Sequence, residues 1–580
     1  MAQPTAVDIG LIRISGSLDL ADSRVDYVID GTGKDYRSGY QGLDWIPAVP
    51  EEDKVVFINA TDNLGRGPAG APLFWRSATK SSADILTIAN GLPGSPRNFT
   101  DTGSAYDWAL ASQYFIKDKP FGGFYVNNLK TYLDPGLIGS YPTTLAKIYD
   151  LSGNAYGGTL NNSPAYNPLG WLDFDGTNDY IAVNPDSFRS TSTPGTIEAV
   201  FNIKDYSNAQ LVVGTTENRD RAISIVDAGH IRGNQYNGTI GLFCGGQWRP
   251  PVQDKFHHVA FAYTVNNGAG TSQYALWVDG EKRAEQFPAT ATDVGADTSV
   301  NNWGGTSANN ISDGGPSRSN FGGVDNSTPG FFSGSIERFL THNSFLTDDQ
   351  ILQNYYQAPI VTDGLQFAVD PFNICSYPRY GTTTFSLSGS QNGSLVAGTG
   401  WLTDNGGVWD FDGTDDRIQF SNSFPEVYEL FTEPAKPYSV CTWAYCTATG
   451  DRTIIAKSGG WGGSATFALG YLSGPGITTV IRGTRTNAFP AGFSYNKWYN
   501  ISLTWDGTTL KLYVDGIFIQ NMNVGTVSNQ NYNMHIGGAD PSGTTNPFLG
   551  NIGPILLYNK ALSISELSQN CSAMSSRFNA

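Results

Sequence analysis

Two stretches of this chain set carboxylates close enough together to surround one hard cation. In DFDGTNDYI they are Asp173, Asp175 and Asp179, with the amide of Asn178 between them; in DFDGTDDRI they are Asp410, Asp412, Asp415 and Asp416. Calcium takes about six to eight oxygen ligands, so Asp175, Asn178 and Asp179 in the first stretch and Asp412, Asp415 and Asp416 in the second are the candidate metal ligands. The same residues also fit a plain Asp-Gly turn between two strands, whose aspartate caps its own backbone without any ion. Both readings stay open at the level of sequence, and no cofactor is required.

A second kind of chemistry is suggested by tryptophans among glycines. A pyranose stacks its apolar face on an aromatic ring and hydrogen-bonds at its edge to amides and carboxylates. NNWGGTSANNISDGG offers Trp303, Asn309, Asn310 and Asp313 in a long glycine-rich loop, KSGGWGGSA offers Trp461 and GGQWRP offers Trp248. These six are the candidate glycan-binding residues. Trp443 and Trp505 stand in alternating runs instead, which places them in strands and in the core.

Other chemistries find little support. The five cysteines, Cys244, Cys375, Cys441, Cys446 and Cys571, have neither metal-ligand spacing nor an even disulfide framework. Cys441 and Cys446 share one strand-like stretch, where five steps separate them by roughly 16 Å, so they are read as small buried thiols. The five histidines do not cluster as zinc ligands do, and no nucleophile elbow, phosphate-binding loop or dinucleotide fingerprint is present.

The elements that must carry these residues follow from composition. Aromatics make up 13% and charged residues only 15% of 580 positions, with 68 Gly and 30 Pro, which describes short strands joined by many turns. A net charge of -17 opposes binding to nucleic acid or to an anionic membrane. The N-terminus lacks a basic segment followed by an apolar one, and no apolar run is long enough to span a bilayer, so a chain made in a cytoplasm without membrane insertion is expected.

The chain also repeats itself. Ser140-Tyr141-Pro142 corresponds to Ser376-Tyr377-Pro378, Leu151-Ser152-Gly153 to Leu387-Ser388-Gly389, and Asp173 to Ile181 to Asp410 to Ile418. The register continues through KFHHVAFAYT and YALWVDGEK against KWYNISLTWDG and LKLYVDGIF, and closes with NSFLTDDQILQNY against NKALSISELSQN. At about 220 residues each repeat has the size of a complete sandwich domain. Ile501, Leu503 and Trp505, then Leu510, Leu512 and Val514, alternate with the period of a strand that buries one face. Asp279-Gly280 and Asp515-Gly516 predict type I′ hairpins, and Thr347 with Gln350 and Ser563 with Glu566 predict capping boxes opening helices of one or two turns. The expected fold is therefore all-β: a smaller mixed N-terminal domain over 1–125, then two tandem antiparallel jelly-roll sandwiches over 126–358 and 359–580, joined by a short linker around Pro359.

With DLSGN and FDGTNDYI, KFHHVAFAYT and LWVDGE, and NSFLTDDQILQNY in order and twice, each repeat resembles a laminin-G-like domain of the concanavalin-A-like lectin/glucanase superfamily. The resemblance implies a two-sheet jelly roll. It also implies calcium in many members, through ligands drawn from two loops, of which only one can be nominated here. Glycosidases of that superfamily carry E-x-D-x-E or E-x-D-x-x-E on one strand, and no glutamate here falls into either pattern; Glu198 in TIEAVFNI has Val200 where the aspartate belongs. A non-enzymatic protein is expected.

The segments ILTIANGLPGSPRNFTDTGSAYDWA and IVTDGLQFAVDPFNICSYPRYGTTTFSLSGSQNGSL are similar to parts of virion structural proteins of tailed bacteriophages, especially those infecting marine cyanobacteria. That resemblance implies a virion location after assembly in the host cytoplasm. It further implies an N-terminal region docked to other virion proteins, sandwiches facing host surface polysaccharide, and a homo-oligomer, with a trimer favoured. The alternative is a bacterial surface adhesin or a polysaccharide-active enzyme of the same superfamily.

The first repeat has the longer loop, from Asp293 to Gly330, so glycan contact is expected to depend on it. Trp303→Ala should weaken attachment by about 1–3 kcal/mol with folding intact. Trp505→Ala should instead cost roughly 3–5 kcal/mol of stability. Binding assays beside denaturant titrations of both variants separate the two effects.

Overall fold

A computed structural model describes residues 123–578, except for 137–139, 142–145, 149, 153–156, 184–193, 207–209, 215–220, 227–228, 237–240, 251–254, 265–272, 287–308, 312–330, 422–430, 432, 434, 461–464 and 527–531. The expected docking region thus lies outside the described residues apart from its last three. Strand makes up 49% and helix 8%, an all-β protein. The chain packs as two compact units, Val126–Ile351 and Leu352–Ala580, the latter taking in the segment that ends at Tyr125. The division falls inside helix α1 (Asp348–Tyr356), a little ahead of the linker around Pro359.

In the first unit one sheet runs Glu281–Gln286, Tyr274–Val278, His257–Tyr263, Gly195–Ile203, Ser333–His342, Trp171–Asp175, Ala165–Asn167, with Leu129–Leu133 also paired to Ser333–His342. The second sheet runs Gly241–Trp248, His230–Tyr236, Arg221–Val226, Gln210–Gly214, Asn309–Ile311, Tyr180–Val183, Gly158–Asn161, Lys147–Ile148. The second unit repeats both orders strand for strand. Ile517–Met522, Leu510–Val514, Trp498–Trp505, Tyr438–Cys446, Leu549–Tyr558, Val408–Asp412 and Gly400–Leu402 form the first of its sheets, with Leu365–Val369 paired to Leu549–Tyr558. Its other sheet runs from Thr484–Ala488 through Gly476–Ile481, Phe467–Leu472, Arg452–Lys457, Met534–Ile536, Arg417–Phe420 and Asn392–Val396 to Thr383–Phe385.

Alternation places the core. Ile501, Leu503, Trp505, Leu510, Leu512 and Val514 all join one buried cluster with Trp409, Phe411 and Ile455. Trp443, like Trp505, is buried, but it belongs to the opposite face of its strand, where it stacks on Phe578 at 4.8 Å. Phe578 ends helix α2 (Ile564–Phe578), 15 residues and about four turns where one or two turns were expected. The serines and asparagine in SELSQNCSAMSSRF hide a stripe of Leu567, Cys571, Met574 and Phe578, all buried, that lays the helix on the outer face of the sheet.

The punctuation takes the expected form. Asp279 and Gly280 have φ of 52° and 76°, Asp515 and Gly516 49° and 75°, as a type I′ turn requires. Each aspartate also accepts the amide of a neighbouring strand, Asp279 from His258 at 3.0 Å and Asp515 from Asn500 at 2.8 Å. Thr347 and Gln350 exchange hydrogen bonds at 2.9 and 3.4 Å, Ser563 and Glu566 at 2.8 and 3.3 Å. The five cysteines are free and buried, and burial pushes the Cys244 thiol up to about 12 and Cys441, Cys446 and Cys571 to about 11.

His535 sits in Met534–Ile536 opposite Ala456 and Gln419, wholly buried, with neither ring nitrogen hydrogen-bonded among the described residues. Burial, then the cations of Arg417 and Lys457, bring its pKa down to about 4, against the opposing pull of Asp540. The folded state therefore takes up its proton later than the unfolded chain does. Stability is complete above about pH 6.5 and is lost as the pH falls toward 4, by on the order of 3 kcal/mol. Urea midpoints of wild type and His535→Gln should converge at pH 7 and part at pH 4.5, with the variant the less acid-sensitive.

Candidate functional site

The two DFDG stretches close equivalent turns, Trp171–Asp175 to Tyr180–Val183 and Val408–Asp412 to Arg417–Phe420. In the second unit this turn lies at the end of the sandwich where Asp412 pairs with Leu549 and Cys446 with Gly550. The opposite end is marked by the pair Tyr438 and Trp505. The two turns are used differently.

In the first, the carboxylate of Asp175 is consumed by its own loop. Its Oδ1 accepts the amides of Thr177 at 2.7 Å, Asn178 at 3.1 Å and Asp179 at 3.4 Å, and these donors, Thr177 foremost, lower its pKa. Asp179 returns the favour through Oδ2 to the Asp175 amide at 3.1 Å, and burial raises its pKa. Asp175, Asn178 and Asp179 thus form a capped turn. Asp173 is occupied as well, by Lys204 at 2.7 Å and by the Ser335 hydroxyl.

In the second, Asp412 Oδ1 accepts only the Thr414 amide, at 2.7 Å, and Asp416 Oδ2 accepts the Asp412 amide at 2.9 Å. Asp415, where the first repeat has Asn178, adds a third carboxylate, and ligand atoms of Asp412, Asp415 and Asp416 lie within 4.8 Å of one another. Burial and then the charges of Asp412, Asp415 and Asp410 raise the pKa of Asp416, the repulsion that a cation would relieve. This donor set offers three clustered carboxylates to a hard oxygen-seeking ion, whereas the first-repeat set offers two and an amide, with one carboxylate oxygen already accepting three backbone amides.

A neighbouring loop that no sequence pattern flagged completes this end. Gly543, at φ 76°, runs so close to the turn that a Cβ there would meet the Asp415 carbonyl at 2.3 Å. Arg417 ties the two together, donating to Asp415 O at 3.1 Å and Ser542 O at 3.2 Å. Asp540 in this loop is partly buried, yet hydrogen bonds from Thr545 and Ser542 hold its pKa low. It lies more than a hundred residues along the chain from Asp415, beyond the reach of local spacing.

The glycan candidates fare unevenly. Trp303, Asp313 and Trp461 lie outside the described residues, as does most of Asp293 to Gly330. Asn309 and Asn310 were expected in a loop; they instead form the strand Asn309–Ile311, paired with Val183 and Ala182 where the second repeat has Met534–Ile536. A sheet position one strand wide needed filling, and the backbone of this short polar segment fills it. Trp248 ends the edge strand Gly241–Trp248 opposite Ile231.

Glu198 is sealed in. It has no exposed surface, and its carboxylate meets His258 Nε2 at 2.8 Å and His342 Nδ1 at 3.3 Å. The second repeat places Cys441, Asn500 and Tyr558 at these three registers, as the matching bonds of Thr196 to Ser344 O and Ser439 to Lys560 O establish.

Residues 412–568 match the family model described as Concanavalin A-like lectin/glucanases superfamily, and this part of the chain is a laminin-G-like domain. Among solved structures, mouse laminin alpha1 chain domains LG4-5 align at 12% identity over 70% of this chain and 94% of that one, with a TM-score of 0.24. Trypanosoma rangeli sialidase aligns at 11% identity over 73% and 67%, TM-score 0.29. CBM40 of Ruminococcus gnavus IT-sialidase aligns at 19% over 25% and 88%, TM-score 0.22. No curated protein matches in sequence.

Millimolar calcium should raise the melting temperature of the second unit, since a ligand at a hundred times its Kd adds about 2.7 kcal/mol. Asp415→Asn, which installs the amide of the first repeat, should remove most of that rise and leave the calcium-free melting temperature nearly unchanged. An equal calcium response in both proteins would assign the turn a purely structural role.

Proposed function

We propose that this chain is a non-enzymatic structural protein of a tailed-bacteriophage virion, an appendage or decoration protein whose two sandwiches contact host-surface glycan or protein. The observation that carries the reading is the twofold construction of the sandwich with its polar chemistry at the ends. Three carboxylates that cluster to meet an outside ligand stand in the Asp412 to Asp416 turn, while Glu198, the glutamate of a central strand, is locked between two histidines. A glycosidase needs a proton donor and a second carboxylate on either side of the scissile bond. Glu198 has no access to a substrate, and its counterpart in the second repeat is Cys441, not an acid.

In this reading the N-terminal region docks to other virion proteins and the chain assembles as a homo-oligomer, a trimer favoured. The resemblance of ILTIANGLPGSPRNFTDTGSAYDWA and IVTDGLQFAVDPFNICSYPRYGTTTFSLSGSQNGSL to segments of virion proteins supports the location, and the repeated sandwich, laminin-G-like over 412–568, supports contact with a surface. Superfamily membership also admits a bacterial adhesin or a polysaccharide-active enzyme, which the same experiments separate.

Purified protein incubated with host polysaccharide should be retained by it without releasing reducing ends, and mass spectrometry of purified particles should detect the chain as a stoichiometric component. Release of reducing ends would replace the binding reading with catalysis, and absence from particles would remove the virion setting.

A further inference from the structure

The end of the second sandwich opposite the acidic turn holds a cation that the fold does not need. Arg482 and Gly483 form the two-residue turn between Gly476–Ile481 and Thr484–Ala488, with φ of 49° and 80°. Type I′ turns favour Asn, Asp or Gly at the first place, as Asp279 and Asp515 illustrate; an arginine there is conformationally unfavourable. Its side chain is then buried, with only 5% exposed. The guanidinium lies 5.5 Å from the centre of the Trp505 ring, Nε donates to no acceptor among the described residues, and the one ionisable neighbour acting on it is the Tyr438 phenol. The Trp505 face attracts the guanidinium, but burying the charge with Nε unpaired is costly.

The surroundings are built rather than accidental. Tyr438, Phe431 and Phe467 pack ring to ring beside it, at 4.2 to 6.2 Å between centroids. Gly525 donates to Ile481 O at 3.0 Å and passes so near the turn that a Cβ there would strike the Arg482 carbonyl at 2.2 Å. The first repeat closes the same place. Gly195 stands where Tyr438 does, Tyr263 where Trp505 does, and the Tyr263 ring leans over Gly195 so that a Cβ would meet its hydroxyl at 2.2 Å. The segment between the corresponding strands, 237–240, reads Asn-Gly-Thr-Ile and contains no arginine.

We propose that Arg482, backed by Trp505 and Tyr438, is the anion subsite of the second sandwich and takes the carboxylate or sulfate substituent of an acidic polysaccharide. A planar fork of N–H donors matches a carboxylate bidentately, and the buried rings of Trp505 and Tyr438 hold that fork from behind. This deepens the reading of the sandwiches as glycan-contact modules and rests on it. It also assigns ligand contact to the second repeat, at the end away from Asp412, Asp415 and Asp416.

The test uses the full chain and four probes in calorimetry: a uronic-acid oligosaccharide, a sulfated one, a neutral one of equal length, and an acidic peptide. The uronate or the sulfated sugar should bind, the two telling carboxylate from sulfate, while the neutral sugar and the peptide should not compete. Arg482→Asn should weaken that binding by about a hundredfold, yet melt no lower than wild type, because it removes an unpaired charge and supplies the residue the turn favours. A folded Arg482→Asn that binds as wild type does, or wild type indifferent to both acidic sugars, overturns the proposal. So does a peptide that binds as tightly as the uronate. If Arg482→Asn does not fold, Arg482→Lys decides: it must lose whichever preference between carboxylate and sulfate the wild type shows, and an unchanged preference overturns the assignment. Retention on host polysaccharide that survives in a folded Arg482→Asn would leave the glycan-contact reading standing and this subsite refuted.

Discussion

In both sandwiches the central strand is buried on both of its faces, and most other features answer to that constraint. Gly195–Ile203 and Tyr438–Cys446 carry core side chains toward the facing sheet and are covered on the other side as well. Almost every side chain on such a strand is cut off from solvent, Tyr445 being the half-buried exception. Polar groups there must be satisfied inside the protein, and anything that meets an outside partner is displaced to the ends, where strands become turns.

The two copies solve the interior problem with different chemistry on one backbone. At the registers where the first uses Glu198, His258 and His342, the second uses Cys441, Asn500 and Tyr558, with Asn570 of helix α2 donating to the Tyr558 hydroxyl at 3.0 Å. The hairpin aspartates diverge likewise. Burial opposes the charge of Asp279, but Lys255 and His257, with the His258 amide, hold its carboxyl well below the usual range; burial leaves Asp515 raised, with Asn500 and Lys497 only partly offsetting it. Acid therefore acts oppositely on the two hairpins: it removes stabilisation from the first as Asp279 protonates and adds to the second as Asp515 does. A buried ionic cluster that its own duplicate replaces with neutral groups is one solution among several and not a requirement of the fold.

Legibility in the sequence followed the range of each interaction. The hairpins at Asp279 and Asp515 and the caps at Thr347 and Ser563 are decided within four residues, and the repeats expose them twice. The alternation of Ile501, Leu503 and Trp505 reads directly because one face of that strand meets only apolar neighbours. Helix α2 was underestimated because its buried stripe is diluted by serine, and Asn309 and Asn310 were misplaced because strand formation there depends on pairing with Ala182 and Gly214, far along the chain. The metal candidates divided for a reason visible only in three dimensions. Asp175 and Asp412 look alike in sequence, but one carboxylate is spent on three amides and the other on one.

Arginine 482 was hidden for a related reason. An Arg-Gly pair between two strands reads as an ordinary surface turn, and Trp505 as an ordinary core residue; only the fold stacks one on the other. The result is a sandwich with chemically opposed ends, carboxylates clustered at one and a sequestered guanidinium at the other. A chain of net charge -17 has acidic groups to spare. A cation that pairs with none of them among the described residues, in a turn that favours asparagine, is retained against both local conformational preference and the cost of burial. Where two independent costs fall on one residue and its duplicate carries neither, with the Trp505 ring as its partner inside the fold, that residue is where a bound anion would offset the most.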